Sequence, residues 1–135
     1  MKLRKSNTGF TLIELMAVVV VVAVLTLIAY PAYQSFVVKA NRAEAKSYLM
    51  DVAQMQQLYF NDSRTYADTA ADLNATPPER VNKNYAVVFD LTTTSPVAEF
   101  TITATPKPGS VQADYNDGDL SIDNTGEKLH DGEPW

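Results

Sequence analysis

The sequence predicts an α+β protein, one long N-terminal α-helical spine packed in its second half by a small antiparallel β-sheet head. Three observations lead there. Residues 10–30 form an almost unbroken apolar run. Apolar residues then recur at three- and four-residue spacing to about Phe60, the period of an amphipathic helix. Beyond residue 84 three segments alternate apolar and polar residues with period two, as half-buried antiparallel strands do.

Composition bounds what such a chain can do. At 135 residues it has room for one compact domain with an N-terminal appendage. The formal net charge of −5 is segregated, and losing Lys2, Arg4 and Lys5 takes it to −8. A chain that acidic is not expected to bind nucleic acid through bulk charge, because phosphate contacts need Lys and Arg; a small local basic patch stays open. The absence of cysteine excludes a thiol nucleophile, a disulfide frame and a Cys-based zinc site. The one histidine, His130, lies near the C-terminus, where a Ser-His-Asp triad would have to sit in a tail. No phosphate loop or Gly-rich dinucleotide turn is present. The carboxylates lack the cleft that glycoside hydrolysis needs. No enzymatic activity and no cofactor are expected.

The first nine residues, Met-Lys-Leu-Arg-Lys-Ser-Asn-Thr-Gly, are polar and basic. An ordinary secretory signal places its apolar core before a small-residue cleavage site; here the apolar run follows Gly9. Cleavage after Gly9 would leave that run on the mature chain. About 20 apolar residues suffice to cross a bilayer as a helix. The basic leader predicts a cytoplasmic N-terminus, and Tyr30 and Tyr33 fall where an aromatic interface belt belongs. A plain signal anchor would explain all of this except Glu14. An ionisable group inside a span is costly and marks a function with a partner. The α-amino group released at Phe10 is a natural counter-ion. Pairing of one subunit's amine with Glu14 of its neighbour would set the axial stagger of a polymer.

Gly9-Phe10-Thr11-Leu12-Ile13-Glu14 followed by an apolar run closely resembles the type IV prepilin signature. Pro31-Ala32-Tyr33-Gln34 resembles the segment that follows the pilin membrane helix. The resemblance implies a type IV pilin fold. It implies cleavage between Gly9 and Phe10 by a prepilin peptidase and N-methylation of Phe10. It also implies a subunit that waits in the bacterial inner membrane, a single-pass protein with its N-terminus cytoplasmic. An inner-membrane assembly platform then draws such a subunit into a helical, extracellular filament of pilin subunits, with Glu14 in inter-subunit pairing.

On that basis the chain divides into a leader at 1–9, a transmembrane and filament-core helix at 10–33, the amphipathic second half of the same helix at 34–60, a loop at 61–82, and a β-sheet head with C-terminal loop at 83–135. Pro31 lacks an N–H and crowds the preceding turn, which predicts a kink near residues 27–31. Phe36, Val37, Ala40, Ala45, Leu49, Val52, Met55 and Tyr59 form the expected apolar stripe. Lys39, Arg42, Glu44 and Lys46 read as a solvated face. Helix over residues 10–60 would span roughly 75 Å at 1.5 Å per residue. Asn61-Asp62-Ser63 ends it, and the loop that follows holds a turn near residues 69–73, capped by Asp68 or Thr69, with Tyr66 as a buried anchor. Strands are expected around residues 85–91, 99–105 and 119–123, with a hairpin connection at 92–96 between the first two and a second turn at 123–126 after the third.

The head resembles PilE-type minor pilins through Phe100-Thr-Ile-Thr-Ala-Thr-Pro106 and Gly118-Asp-Leu-Ser-Ile-Asp-Asn-Thr-Gly126. Such pilins often carry a cysteine before the glycine matching Gly118 and another near the C-terminus; here Asp117 and the 131–135 tail stand in those places, so Trp135 docking is expected to hold the tail. Ala23 replaces a glycine common in the membrane helix. Asp114, Asn116, Asp117 and Asp119 are rich in oxygen and form a weak calcium candidate, although the glycine falls one place early for an EF-hand and no Glu follows in register. The alternatives are a solvated acidic turn, or Asp114 and Asp117 engaging a basic patch on a neighbour. The resemblance implies a minor pilin that helps initiate pilus assembly and supports adhesion and twitching motility, in company with a tip adhesin. Two other readings stay open: a type II secretion pseudopilin, and a DNA-uptake pilin.

Overall fold

The computed structural model describes residues 9–92 and 98–135. The basic leader before Gly9 and most of the 92–96 turn lie outside the described residues. The chain divides into two units, residues 1–34 and 35–135.

Helix α1 covers Leu12–Ser63 and continues through Pro31. In the first unit the apolar side chains from Leu12 to Tyr33 are exposed, and this stretch is long and apolar enough to cross a membrane. Thr26 turns its hydroxyl back to the Val22 carbonyl at 2.8 Å, which hides that polar group from an apolar solvent.

In the second unit α1 buries Val38, Asn41, Ala45, Tyr48, Leu49, Val52 and Gln56. This face is rotated from the stripe read in the sequence. Phe36 is 69% exposed and Met55 37%, while two amides occupy the buried row. Both amides have partners, which is why they can replace apolar residues there. Asn41 donates to Gln112 Oε1 at 2.9 Å. Gln56 donates to the Ala67 carbonyl at 2.6 Å and accepts from the Ala67 N–H at 2.8 Å, pinning the loop to the helix. Beside that clamp Tyr66 stacks on Phe60 and meets Phe100 edge-on, both at 4.7 Å between ring centroids. Tyr66 is half-buried, an anchor as expected.

The loop leaves α1 at Arg64, whose φ of 59° ends the helix in the left-handed region. Thr69 caps a turn by accepting the Asp72 N–H at 3.3 Å. Helix α2, Glu79–Asn84, then forms at the end of the stretch read as loop. Pro78 precedes it with φ −53°, and a proline fixed near that value starts a helix well; Glu79 and Lys83 lie at the favourable ends of the helix dipole. The Pro77-Pro78 pair therefore introduces regular structure instead of preventing it.

Five antiparallel strands run in sequence order: β1 Tyr85–Thr92, β2 Glu99–Pro106, β3 Leu120–Asp123, β4 Lys128–His130 and β5 Glu133–Pro134. Phe89 faces Ile102, which faces Ile122; Ala104 faces Leu120. Phe100, Ile102, Ala104, Leu120 and Ile122 point inward with Tyr85 onto Ala45, Leu49 and Val52 of α1, making one core. Strands β4 and β5 were not legible as strands, because three and two residues are too few to display alternation.

The 123–126 turn is held by the Asp123 carboxylate, which accepts from the Thr125 N–H at 2.9 Å, the Thr125 hydroxyl at 2.7 Å and the Glu127 N–H at 2.9 Å. Burial pushes this carboxyl up, but the donors from Thr125, Glu127 and Gly126 prevail and hold it below its ordinary value of 3.8.

Two outcomes are expected. The Asp123 contribution to stability is complete above pH 3.8 and disappears as pH falls through its lowered folded value. Acid denaturation followed by circular dichroism should therefore show a shallower limb in Asp123→Asn. Gln56→Leu leaves the Ala67 N–H and C=O without partners and should cost about 2 kcal/mol in denaturant melts, with faster amide exchange at Ala67.

Candidate functional site

The residues singled out at the N-terminus form a small hydrogen-bonded unit at the start of α1. Thr11 occupies the position before Leu12, and Glu14 is the third residue of the helix. Glu14 Oε2 accepts from the Thr11 N–H at 3.0 Å and the Thr11 hydroxyl at 2.9 Å, while the Glu14 N–H donates to Thr11 Oγ1 at 3.3 Å. This is a reciprocal capping box, and Thr-x-x-Glu before an apolar run is its sequence signature, a local signal separate from the charge of Glu14. It satisfies two donors that the first turn would otherwise leave open. The cap engages one carboxylate oxygen; Oε1 has no donor among the described residues.

Phe10 is 89% exposed. Nothing lies within 4 Å of a Cβ built on Gly9. Among the described residues nothing therefore demands glycine at position 9.

The acidic stretch after β2 does not spread its carboxylates around a vacant site. Helix α3, Val111–Asp114, is capped by Ser110, which accepts the Ala113 N–H at 3.3 Å. Asn116 and Gly118 adopt left-handed φ of 48° and 63° and turn Asp117 inward between them. The Asp117 side chain is fully buried. Its Oδ1 pairs with Arg42, through Nε at 2.6 Å and through Nη2. Its Oδ2 accepts from the Tyr85 hydroxyl at 2.5 Å and from Gln112 Nε2 at 2.6 Å. Burial first, and the Asp117 carboxylate second, push the Tyr85 hydroxyl up, so that it remains a donor.

Asp114, Asn116 and Asp119 point to solvent. Among the described residues no group of three His, Cys, Asp or Glu side chains is arranged to hold a metal ion. Two readings are corrected. Asp117 is neither part of a solvated turn nor free to meet a neighbouring subunit, because its oxygens are spent inside the head. Arg42 does not belong to the solvated face of α1. The two residues are 75 positions apart, and nothing local in the sequence joins them.

The same hub holds the C-terminal segment. His130 Nε2 lies 2.6 Å from the Asp117 carbonyl oxygen, and the Asp131 N–H donates to the Asp119 carbonyl at 2.9 Å. A Cβ on Gly118 would sit 2.8 Å from Asp131 Cβ, so only glycine admits this approach. Trp135 packs half-buried against the core, donates from Nε1 to the Leu129 carbonyl at 2.8 Å, and lies under Lys46 Nζ at 4.4 Å from the ring centroid. The tail is thus held by Trp135, as expected, and by Asp117, which was not.

Comparison with known proteins gives two family matches. A family model described as the prokaryotic N-terminal methylation motif covers residues 4–30. A second, described as type IV minor pilin ComP, DNA uptake sequence receptor, covers residues 31–120. Among curated proteins the chain is similar to the type IV major pilin protein PilA of Myxococcus xanthus, 38% identical over 77 residues, which are 57% of this chain and 34% of that protein. It is similar to the fimbrial protein EcpC of Eikenella corrodens, 37% identical over 70 residues, 51% of this chain and 46% of that one. A type IV major pilin protein PilE1 of Neisseria gonorrhoeae is 34% identical over 80 residues, 57% of this chain and 47% of its own length. The chain spans less than half the length of each of these relatives.

Removing one partner of a buried pair costs more than the pair contributes. Asp117→Ala strands Arg42, Tyr85 and Gln112 together and should destabilise the protein by about 3 kcal/mol in chemical denaturation. Protease cleavage should then begin in the 127–135 segment.

Proposed function

We infer the work of this chain from one premise: it belongs to the type IV pilin family. It is a structural subunit. The proposal made from that premise is a minor pilin that helps initiate pilus assembly and supports adhesion and twitching motility. The observation that carries it is the first unit, an exposed apolar helix with a single carboxylate one turn from Phe10. Before assembly this helix is a single-pass inner-membrane anchor, cleaved after Gly9 by a prepilin peptidase and N-methylated at Phe10. In the filament, reached through the assembly platform, its apolar face packs on other pilin helices, and Glu14 meets the Phe10 amine of a neighbour. An open head-to-tail contact of this kind generates a helical fibre. A kink at Pro31 adapts the helix to that packing. A tip adhesin is the expected company of a minor subunit.

The capping box sharpens the Glu14 argument, because Glu14 now has two separable roles. Glutamine also serves at the third position of a capping box but carries no charge. Glu14→Gln should leave the helix start intact and, like Glu14→Ala, should block incorporation into sheared filaments. Normal incorporation of Glu14→Gln, with loss only in Glu14→Ala, would reduce Glu14 to a helix cap. Gly9→Val should accumulate as uncleaved precursor on immunoblots while the head keeps its melting temperature, since no contact in the fold uses that position.

A second reading, DNA uptake, is favoured by the family match over residues 31–120, whose description names a DNA uptake sequence receptor. The chain is acidic overall, but Arg80 and Lys83 of α2 lie close in sequence to Asn82, whose carbonyl accepts from Lys107 Nζ. These three cations are the candidates for phosphate contact, although Arg80 is also paired with Glu44 at 3.5 Å. If they meet phosphates, DNA affinity should fall with salt at a log–log slope of roughly −2 to −3 and vanish in the triple alanine variant. Absence of binding at low salt rejects this reading and leaves the first intact.

A further inference from the structure

The sheet ends on two edges of opposite character. Strand β5 is 2 residues long, and its Glu133 and Pro134 are exposed; a short strand carrying a charge and a proline resists pairing. Strand β1, at the other end of the sheet order, runs for 8 residues. Asp90 is its only charge, and it holds no lysine, proline or glycine. A long, mostly apolar edge of that kind is a template for another strand.

The hydrogen-bond pattern shows which groups β1 offers. Just beyond the strand ends the Lys107 N–H donates to the Asn84 carbonyl at 2.8 Å, in the register that places Tyr85 opposite Pro106. Bonded and non-bonded pairs alternate along an antiparallel ladder, so Ala86, Val88, Asp90 and Thr92 direct their N–H and C=O groups to β2. Strand β2 agrees: its even positions serve β3, since the Asn124 N–H donates to the Phe100 carbonyl at 3.1 Å. Val87, Phe89 and Leu91 therefore aim their N–H and C=O groups away from the sheet. Among the described residues no hydrogen bond from a loop or side chain reaches these groups. The three residues are only partly buried, so water reaches the edge. The Tyr85 N–H, by contrast, is taken by the Val81 carbonyl of α2.

The same pattern selects an occupant. An antiparallel strand on this edge must match outward-bonding positions to outward-bonding positions, and β1 of a second copy does so about a two-fold axis. An axis at Asp90 would set two carboxylates against each other, and one at Phe89 would set each Asp90 on a valine. An axis at Val88 makes the edge self-complementary. Val88 then meets Val88 of the copy, Asp90 meets Ala86, and Val87 meets Phe89. Val88 is 51% exposed, and a non-bonded pair brings opposed side chains closest, so this register covers it.

We propose that β1 is a pairing edge for β1 of a second copy, joining two heads into one continuous antiparallel sheet. The direction of the strand decides where such a contact belongs. Tyr85 shares the Asp117 hub with Arg42, and Leu91 lies opposite Phe100, which meets Tyr66 beside Phe60. Strand β1 thus runs along α1 in the same sense, and two heads paired through it point in opposite directions. A closed two-fold contact does not propagate a fibre. On the filament reading above, on which this step rests, it joins two filaments that run in opposite senses, as filaments from facing cells do.

The chain has no cysteine, so single cysteines report on the register. Opposed Cα atoms at a non-bonded pair are about 4.5 Å apart, inside the roughly 4.4–6.8 Å range of a disulfide. In detergent micelles of the full chain, Val88→Cys should give a covalent dimer on mild oxidation. Asp90→Cys alone should not, whereas Asp90→Cys mixed with Ala86→Cys should give the mixed dimer. In amide exchange of the unaltered chain, rising concentration should slow Val87, Phe89 and Leu91 and leave Ala86, Val88 and Asp90 unchanged. Val88→Asp, a substitution at an exposed side chain, should keep the melting temperature of the head and speed those three amides about tenfold at high concentration, since like charges then stand directly opposite. Val88→Cys that stays monomeric, or exchange without the alternation, overturns the pairing edge. Asp90→Cys dimers as abundant as those of Val88→Cys overturn the register. Dimers in micelles without Val88→Cys cross-links between filaments that contain the chain overturn the contact between filaments. Absence of the chain from filaments fails the pilin reading itself, and the micelle trap still reports on the edge separately.

Discussion

The buried carboxylate of Asp117 is the interaction around which the head is organised. A charge taken out of water is tolerable only when every lone pair is used, and here Arg42, Tyr85 and Gln112 use them. Each donor comes from a different part of the chain: Arg42 from α1, Tyr85 from the start of β1, Gln112 from α3. Gln112 passes the constraint on to Asn41 and to the Val38 carbonyl. The backbone of Asp117 receives His130 from β4. One residue therefore ties the helix, the first and fourth strands of the sheet and α3 into one object. A pair so placed contributes less net stability than a well-packed apolar cluster would, but it admits few alternative arrangements. For a head without a single covalent cross-link, that specificity is the more useful property.

The hub also explains why α1 carries amides in its buried row. An all-apolar stripe would pack on the sheet but could not register the loops that flank it. Asn41 and Gln56 lie at opposite ends of the packed segment, and each is matched to one connection: Asn41 to α3, Gln56 to the loop at Ala67. Between them Ala45, Leu49 and Val52 are purely apolar and fully buried. The helix is thus apolar where it meets the sheet and polar where it must fix the position of a loop.

This division accounts for what could be read from the sequence. The long helix, the turn at Asp123 and the three longer strands follow from local rules of period, capping and turn chemistry, and they stand close to where those rules put them. The start of the buried face was misplaced at Phe36 because periodicity counts apolar residues, and the row actually opens on Val38 and Asn41. Helix α2 was hidden because a proline pair disfavours helix within itself yet favours one immediately after it. Asp117 was misread for a deeper reason. Its partner Arg42 is far away in sequence, and an aspartate flanked by Asn116, Gly118 and Asp119 has every local mark of a surface turn. The N-terminal motif is the reverse case: Gly9, Phe10 and Glu14 are legible from local sequence alone, and the Thr-x-x-Glu cap is written in the same residues.

The cap and the charge are not rivals. A carboxylate near the start of an exposed apolar helix is costly in any environment that excludes water, and the cost falls with each donor that reaches it. Thr11 supplies two donors to Oε2 and so makes the group tolerable before any partner arrives. Those same bonds fix the rotation of the side chain and leave Oε1 without a donor among the described residues. A subunit that had to satisfy Glu14 wholly by itself would have no use for a neighbour's amine, and one that left it wholly bare would be hard to keep in a membrane. In the proposed filament half-satisfaction would meet both requirements, the uncapped oxygen being left for a neighbour's amine while the capped one holds the side chain in place. On that reading the five residues from Phe10 to Glu14 would encode both persistence in the membrane and the direction of assembly.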